Sequence, residues 1–214
     1  MGIRVPKKAA DTYQHGNLRH ALIQAGLRLL SEGGVHSLSL RAAAQLAGVS
    51  HAAPYRHFAD KEALVAAIAE EGFVLFASCL RASVAPMGGA SVIPRLQAMG
   101  AAYVSFAQEH PDYVRVMFGG VVDKARMPPS LLAAGQAAYG VLRELVEEGI
   151  VSGALREGDV DQMALSCWSL VHGFSMLIVE RTLPPPLHEV GPAAKTLEAL
   201  LTLLVYGITK RPEL

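Results

Sequence analysis

The chain has 214 residues, 51% of them apolar and only 18% charged, with 19 basic side chains against 19 acidic ones. That length supports one or two domains with a full core. Few aromatics, abundant Ala and Leu, and Gly and Pro falling between periodic segments indicate an all-α fold. The zero net charge hides an asymmetry. Residues 1–62 carry eight Lys/Arg against four acids, so a +4 head adjoins a −4 remainder, as expected of a nucleic-acid-facing domain on a neutral-to-acidic body.

Residues 1–16, MGIRVPKKAADTYQHG, lack periodicity and any apolar run of signal-peptide type, and read as a flexible basic arm. Leu18, Leu22, Ala25, Leu29 and Leu30 then form a stripe at helical spacing, with Asn17 as cap and Gly33–Gly34 as stop. Ser39 caps a helix over Leu40–Ala47, whose Leu40, Ala43, Ala44 and Ala47 share a face; Gly48 ends it, with Val49 as apolar plug. Ser50 caps a second helix, His51–Phe58, with Pro54 in its first turn or just past it. Two helices joined by a Gly turn make a helix-turn-helix, which seats its second helix in the DNA major groove.

Asp60 caps a long helix from Lys61 to about Val84, ended by Pro86 and Gly88–Gly89. At about 1.5 Å per residue it reaches roughly 35 Å, enough to leave the head and enter the body. Helices over Ile93–Glu109 and Pro111–Phe118 meet at His110–Pro111. Pro128–Pro129 open another that runs to Glu148, stopped by Gly149. Asp159 or Asp161 begins the next, ending near Thr182 before Pro184–Pro186, and a last one spans about Ala193–Ile208. The reading is about nine helices, with loops at 119–129 and 184–192, divided as arm 1–16, helix-turn-helix domain 17–62 and helical body 63–214. Met163–Val179 is the longest apolar run, but it contains His172 and is short of the roughly 20 residues of a membrane span, so it reads as a buried helix.

Cys79 and Cys167 are nearly ninety residues apart in apolar contexts, which suits buried free thiols rather than zinc ligands or a disulfide. No paired carboxylates, nucleophile elbow or phosphate loop appears. The expectation is no enzyme, no metal and no cofactor.

The run from His15 to Phe73 resembles the N-terminal domain of the TetR (tetracycline repressor) family of bacterial transcription regulators. The residues that carry the resemblance are LRHALIQAGLRLLSEGG, then SLRAAAQLAGVS, then YRHF followed by ADKEAL. Near the C-terminus, CWSLVHGFSML resembles the Trp…His-Gly signature of one TetR C-terminal subfamily, the WHG domain. The helix-turn-helix places Ser50, His51, Ala52 and Ala53 at base edges, where the small Ala pair allows methyl contacts to thymine, and brings Tyr55, Arg56 and His57 near phosphates. The resemblance implies that Tyr55 and His57 contact backbone phosphate and that Lys61, with the amides opening its helix, holds another. Arg41 lies where an Arg can also reach the backbone; Phe58 reads as packing. Trp168 and His172, at i and i+4, share a helix face, with Gly173 allowing close approach of another helix. They read either as a satisfied core histidine beside an interface Trp or as part of a pocket walled by Tyr103, Phe106, Met117, Phe118, Tyr139 and Met176.

The family resemblance implies a cytoplasmic, homodimeric repressor. It would bind a double-stranded DNA operator and be released by a small hydrophobic or amphipathic effector, without membrane association. The dimer would use Asp161–Thr182 and Ala193–Ile208, with Leu197, Leu200, Leu201, Leu204 and Ile208 along the contact. The alternative is a helical small-molecule sensor or carrier without operator-specific DNA binding.

Overall fold

The computed structural model describes the backbone of residues 11–184 and 190–209. The arm expected over 1–16 lies outside the described residues up to residue 10, as does the 184–192 loop over 185–189. Eight α-helices follow in order: α1 (Asp11–Ser37), α2 (Leu40–Leu46), α3 (Lys61–Val84), α4 (Val92–Glu109), α5 (Pro111–Phe118), α6 (Pro129–Val151), α7 (Val160–Val179) and α8 (Val190–Ile208). Single 3₁₀ turns occur at Pro54–Arg56, Ala85–Met87 and Lys124–Arg126. No strand is present among the described residues, only an isolated bridge between Leu155 and Thr209. The all-α expectation holds, with one helix fewer because the second helix of the head is a short turn.

The chain forms two compact units, one comprising the chain up to Ala69 with Val116–Met127, the other Glu70–Arg115 with the chain from Pro128. In the first unit α1 packs on α2, and α2 on the Pro54–Arg56 turn. The α1 backbone is already helical at Asp11, ahead of the Asn17 cap expected, and breaks at Gly34 (φ 66°), where only glycine adopts the left-handed conformation cheaply. Gly26 lets α1 lie close to α3: a Cβ there would sit 2.9 Å from Ile68 and 3.2 Å from Leu64. Leu64 to Ala69 are all buried. The first unit therefore includes the start of α3 through Ala69.

In the second unit α4 packs on α6, α7 and α8, and α7 on both α6 and α8. Gly100 makes the close approach, since a Cβ there would meet Leu201 at 2.8 Å. Gly149 does not stop α6. It lies buried inside the helix, where a Cβ would sit 2.6 Å from Leu155, and the left-handed residue is Gly153 (φ 72°). Leu155 folds back beneath α6, its N–H bonded to the Gly149 carbonyl at 2.9 Å, and this packing carries the helix end past Gly149. Asp159 caps α7, its carboxylate accepting the Gln162 N–H at 2.8 Å. Helix α7 ends at Val179, three residues before the end expected, and the Arg115 guanidinium donates to the Val179 carbonyl at 2.7 Å. The segment Lys61–Met87 and α7 are each long and apolar enough to span a membrane, yet 56% of the apolar window of the first is buried within the protein.

Candidate nucleic-acid interface and aromatic cluster

The cap and Gly turn of the head form as expected. Ser39 Oγ accepts the Ala42 N–H at 3.0 Å, Gly48 is left-handed (φ 68°), and the half-buried Val49 donates its N–H to the Ala44 carbonyl at 2.9 Å. The helix expected over His51–Phe58 does not. Ser50 accepts the Ala53 N–H through its main-chain carbonyl at 2.9 Å, Arg56 N–H reaches Ala53 at 3.3 Å, and His57 N–H reaches Pro54 at 2.9 Å. Pro54 has no N–H to return to Ser50, and i−3 bonds make a 3₁₀ turn over Pro54–Arg56 that closes on one i−4 bond, from the Phe58 N–H to the Pro54 carbonyl at 2.9 Å.

Pro54 and Phe58 are buried and anchor this turn. The Arg19 guanidinium lies 5.7 Å from the Phe58 ring centroid, a cation–π contact, so Phe58 packs. Arg41, Ser50, His51, Ala52, Tyr55 and Arg56 are exposed, while Ala53 and His57 are half-buried. Tyr55 is 56% exposed, too much for a residue whose task is to fill the core. Lys61 is half-buried and its ammonium donates to the Val35 carbonyl.

Asp60 caps α3 through Oδ1, which accepts the Ala63 N–H at 2.8 Å. Its Oδ2 lies 2.9 Å from Arg126 Nη2. The Ala63 amide first, and then the Arg126 guanidinium, hold the Asp60 carboxyl below the ordinary carboxylate range. Arg126 is not legible in sequence as a partner of the head, because 66 positions separate it from Asp60 and no local pattern links them.

In the second unit Tyr103, Tyr139, Trp168 and His172 come together. The Tyr103 hydroxyl lies 2.8 Å from His172 Nδ1, and Trp168 Nε1–H donates to it at 3.3 Å. Tyr139 meets Trp168 edge-on at 6.0 Å between centroids. The proton assignment that satisfies all three polar groups runs Trp168 to Tyr103 to His172 Nδ1, with the imidazole proton on Nε2. Burial pushes the Tyr103 hydroxyl above, and the His172 ring below, their ordinary titration ranges. Phe106 instead meets Phe76 and His110 with tilted rings, at 5.1 and 4.8 Å between centroids. Met117 and Phe118 belong to the first unit, outside this cluster, and Met176 sits half-buried one turn beyond His172.

The cavity beside Trp168 is about 40 Å³, lined by Met99, Gly100, Cys167, Leu201 and Leu204 among others, which is too small for an organic effector. A groove of about 560 Å³ that sequence reasoning missed runs between α4 and α8, lined by Ala98, Ala101, Val104, Ser105, Leu197 and Glu198. Small residues on α4 leave it open. Cys167 is pushed up to about 11 by burial, and Cys79 is raised for the same reason, so both stay thiols at neutral pH. No cluster of three or more metal-ligating side chains occurs among the described residues.

A family model described as bacterial regulatory proteins, tetR family, matches residues 22–68, and one described as tetracyclin repressor-like, C-terminal domain, matches residues 96–204. Among solved structures, a protein of unknown function from Rhodococcus sp. RHA1 is 31% identical with a TM-score of 0.80, covering 94% of this chain and 100% of that one. A TetR family transcription regulator from Marinobacter aquaeolei VT8 is similar in fold, with 17% identity, a TM-score of 0.73, and 94% and 100% coverage. So is the fatty acid degradation regulator FadR from Bacillus halodurans, with 17% identity, a TM-score of 0.72, and 93% and 97% coverage. No curated protein matches the sequence.

Proposed function

We propose that this chain, which belongs to the TetR family of bacterial regulatory proteins, acts in the cytoplasm as a homodimeric repressor. It leaves a palindromic operator when a small hydrophobic or amphipathic molecule binds its second unit. The observation that carries the reading is the exposed edge His51–Ala52 and Tyr55–Arg56 on a turn anchored by buried Pro54 and Phe58, within a head that is net positive. Ser50, His51, Ala52 and Ala53 approach base edges. Tyr55, Arg56, His57 and Arg41 hold phosphates, and Lys61 exchanges the Val35 carbonyl for another. Phosphate contacts set register while base edges carry specificity.

Helix α3 contributes residues to both units, so a change along it in the effector-bound state alters the spacing of the two heads. The coupling is reciprocal: operator weakens effector binding by the same factor. The effector binds in the groove along α4 and α8, or beside Tyr103, Trp168 and His172 once the cavity of about 40 Å³ there has widened to admit it. Two heads seated in successive major grooves are about 34–36 Å apart.

The test is selection of duplexes from random DNA by the full chain, followed by titration across salt. Arg56→Ala is expected to weaken binding to every sequence and to reduce the salt slope by about 0.9 for each phosphate left without its cation. Equal affinity for selected and scrambled duplexes at all salt concentrations would overturn specific repression and favour the sensor without operator binding.

A further inference from the structure

The Asp60–Arg126 pair joins the capped end of α3 to the segment between α5 and α6. That segment is built to present Arg126: Gly120 is left-handed (φ 70°), Asp123 Oδ1 accepts the Ala125 N–H at 2.9 Å, and Arg126 N–H bonds the Asp123 carbonyl at 3.1 Å. Beneath it lies a void of about 60 Å³ lined by Val35, Lys61, Val65, Val121 and Val122 among others. Packing under the segment is therefore incomplete, and the ion pair is its polar tie to α3. The side chains are 60% and 40% exposed, so the pair adds little to folding.

Its charge matters elsewhere. Asp60 is adjacent to Lys61, and on the reading above Lys61 takes a DNA phosphate. A bare carboxylate there repels that phosphate, and Asp60 is held ionised by the Ala63 amide. We propose that Arg126 is a positioning residue for operator binding: its guanidinium neutralises Asp60 at the phosphate-holding end of α3. The segment carrying Arg126 links α5 to α6, so a change in either helix that draws Arg126 away exposes the Asp60 charge and loosens DNA. The proposal rests on the DNA-binding reading and adds to it an acid–base pair whose cancelled charges leave the phosphate at Lys61 unopposed.

The experiment uses the full chain, the duplex it selects from random DNA, and a scrambled duplex at low salt. Arg126→Gln is expected to weaken binding about tenfold in the dimer, the scale of one unit charge screened by water at each head. Asp60→Asn, which keeps a capping side chain, is expected to bind at least as tightly as wild type. The double variant is expected to regain wild-type affinity, and Arg126→Lys to keep most of it. An unchanged affinity for Arg126→Gln overturns the proposal. So does a loss that persists in the double variant, because Arg126 would then touch DNA itself. The scrambled duplex separates this outcome from failure of the specific-repressor reading, since phosphate repulsion acts without sequence preference. Equal melting temperatures for the four variants exclude a folding defect.

Discussion

The hydrogen-bond relay at Tyr103 sets what its neighbours can do. Because Trp168 donates to the Tyr103 hydroxyl and that hydroxyl lies against His172 Nδ1, Tyr103→Phe removes two hydrogen bonds at once, each worth about 0.5–1.5 kcal/mol. The expected loss is about 1–3 kcal/mol in denaturant unfolding. Stability also depends on pH through His172, whose titration burial lowers. An unfolded histidine titrates near about 6.5, so below that pH the unfolded chain binds more protons than the folded one. Stability contributed by the neutral ring is then complete above that pH and falls as the solution is acidified toward the folded value. Urea midpoints between pH 8 and 5 should fall less steeply for His172→Gln, which keeps an acceptor for Tyr103, than for wild type. An equal slope in both would show that burial of this ring does not govern the acid limb.

At the scale of elements, the informative residues are glycines whose roles look alike in sequence. Gly149 reads as a helix stop, but it is the site where Leu155 and Val92 press on α6, at 2.6 and 3.0 Å from a notional Cβ. Gly149→Ala is therefore expected to cost about 1–3 kcal/mol by overpacking. Gly140, on the same helix with nothing within 4 Å of its notional Cβ, should gain roughly 0.5–1 kcal/mol as Ala through helix propensity. Chemical denaturation of the two variants at one protein concentration separates them, and similar effects would refute the Leu155 wedge. Gly173 reads in sequence as a place for a neighbouring helix. It is exposed, with nothing of its own chain near its notional Cβ, so it stays open to a helix of a second copy, while within the chain the close approach belongs to Gly100.

For the whole molecule, the proposed homodimer can draw on apolar side chains left exposed on α7 and α8. Leu197, Leu201 and Ile208, which read in sequence as a dimer stripe, are buried within their own chain, because α8 turns them toward α4 and α7. The apolar side chains left outside are Leu165 and Leu177 on α7, and Leu203 and Tyr206 on α8, the last two 70% and 72% exposed. A two-fold contact through these helices would cover Leu203 and Tyr206 together with the part of α7 that carries Leu165. Leu203→Asp with Leu165→Asp is expected to give a folded monomer by sedimentation and to abolish high-affinity operator binding. A dimer of undiminished strength would place the interface on another face.

Local chemistry makes the head legible. Ser39, Gly48 and Asp60 act within four residues of themselves, through caps and a left-handed turn, so cap, turn and the start of α3 follow from neighbours in the chain. Helical periodicity locates α3 through α8 for the same reason. Pro54 is a local signal too, but one that reads as tolerable in a first helical turn while it forces a 3₁₀ turn instead. What the tertiary structure decided depends on partners far apart in sequence. Arg126 reaches Asp60, Tyr103 reaches His172, and Leu155 reorders the end of α6. The side of α8 that is core, and the side left exposed, were settled by where α4 and α7 lie. An amphipathic stripe states that a face is buried, but burial is non-directional, and only the packed neighbours determine against what.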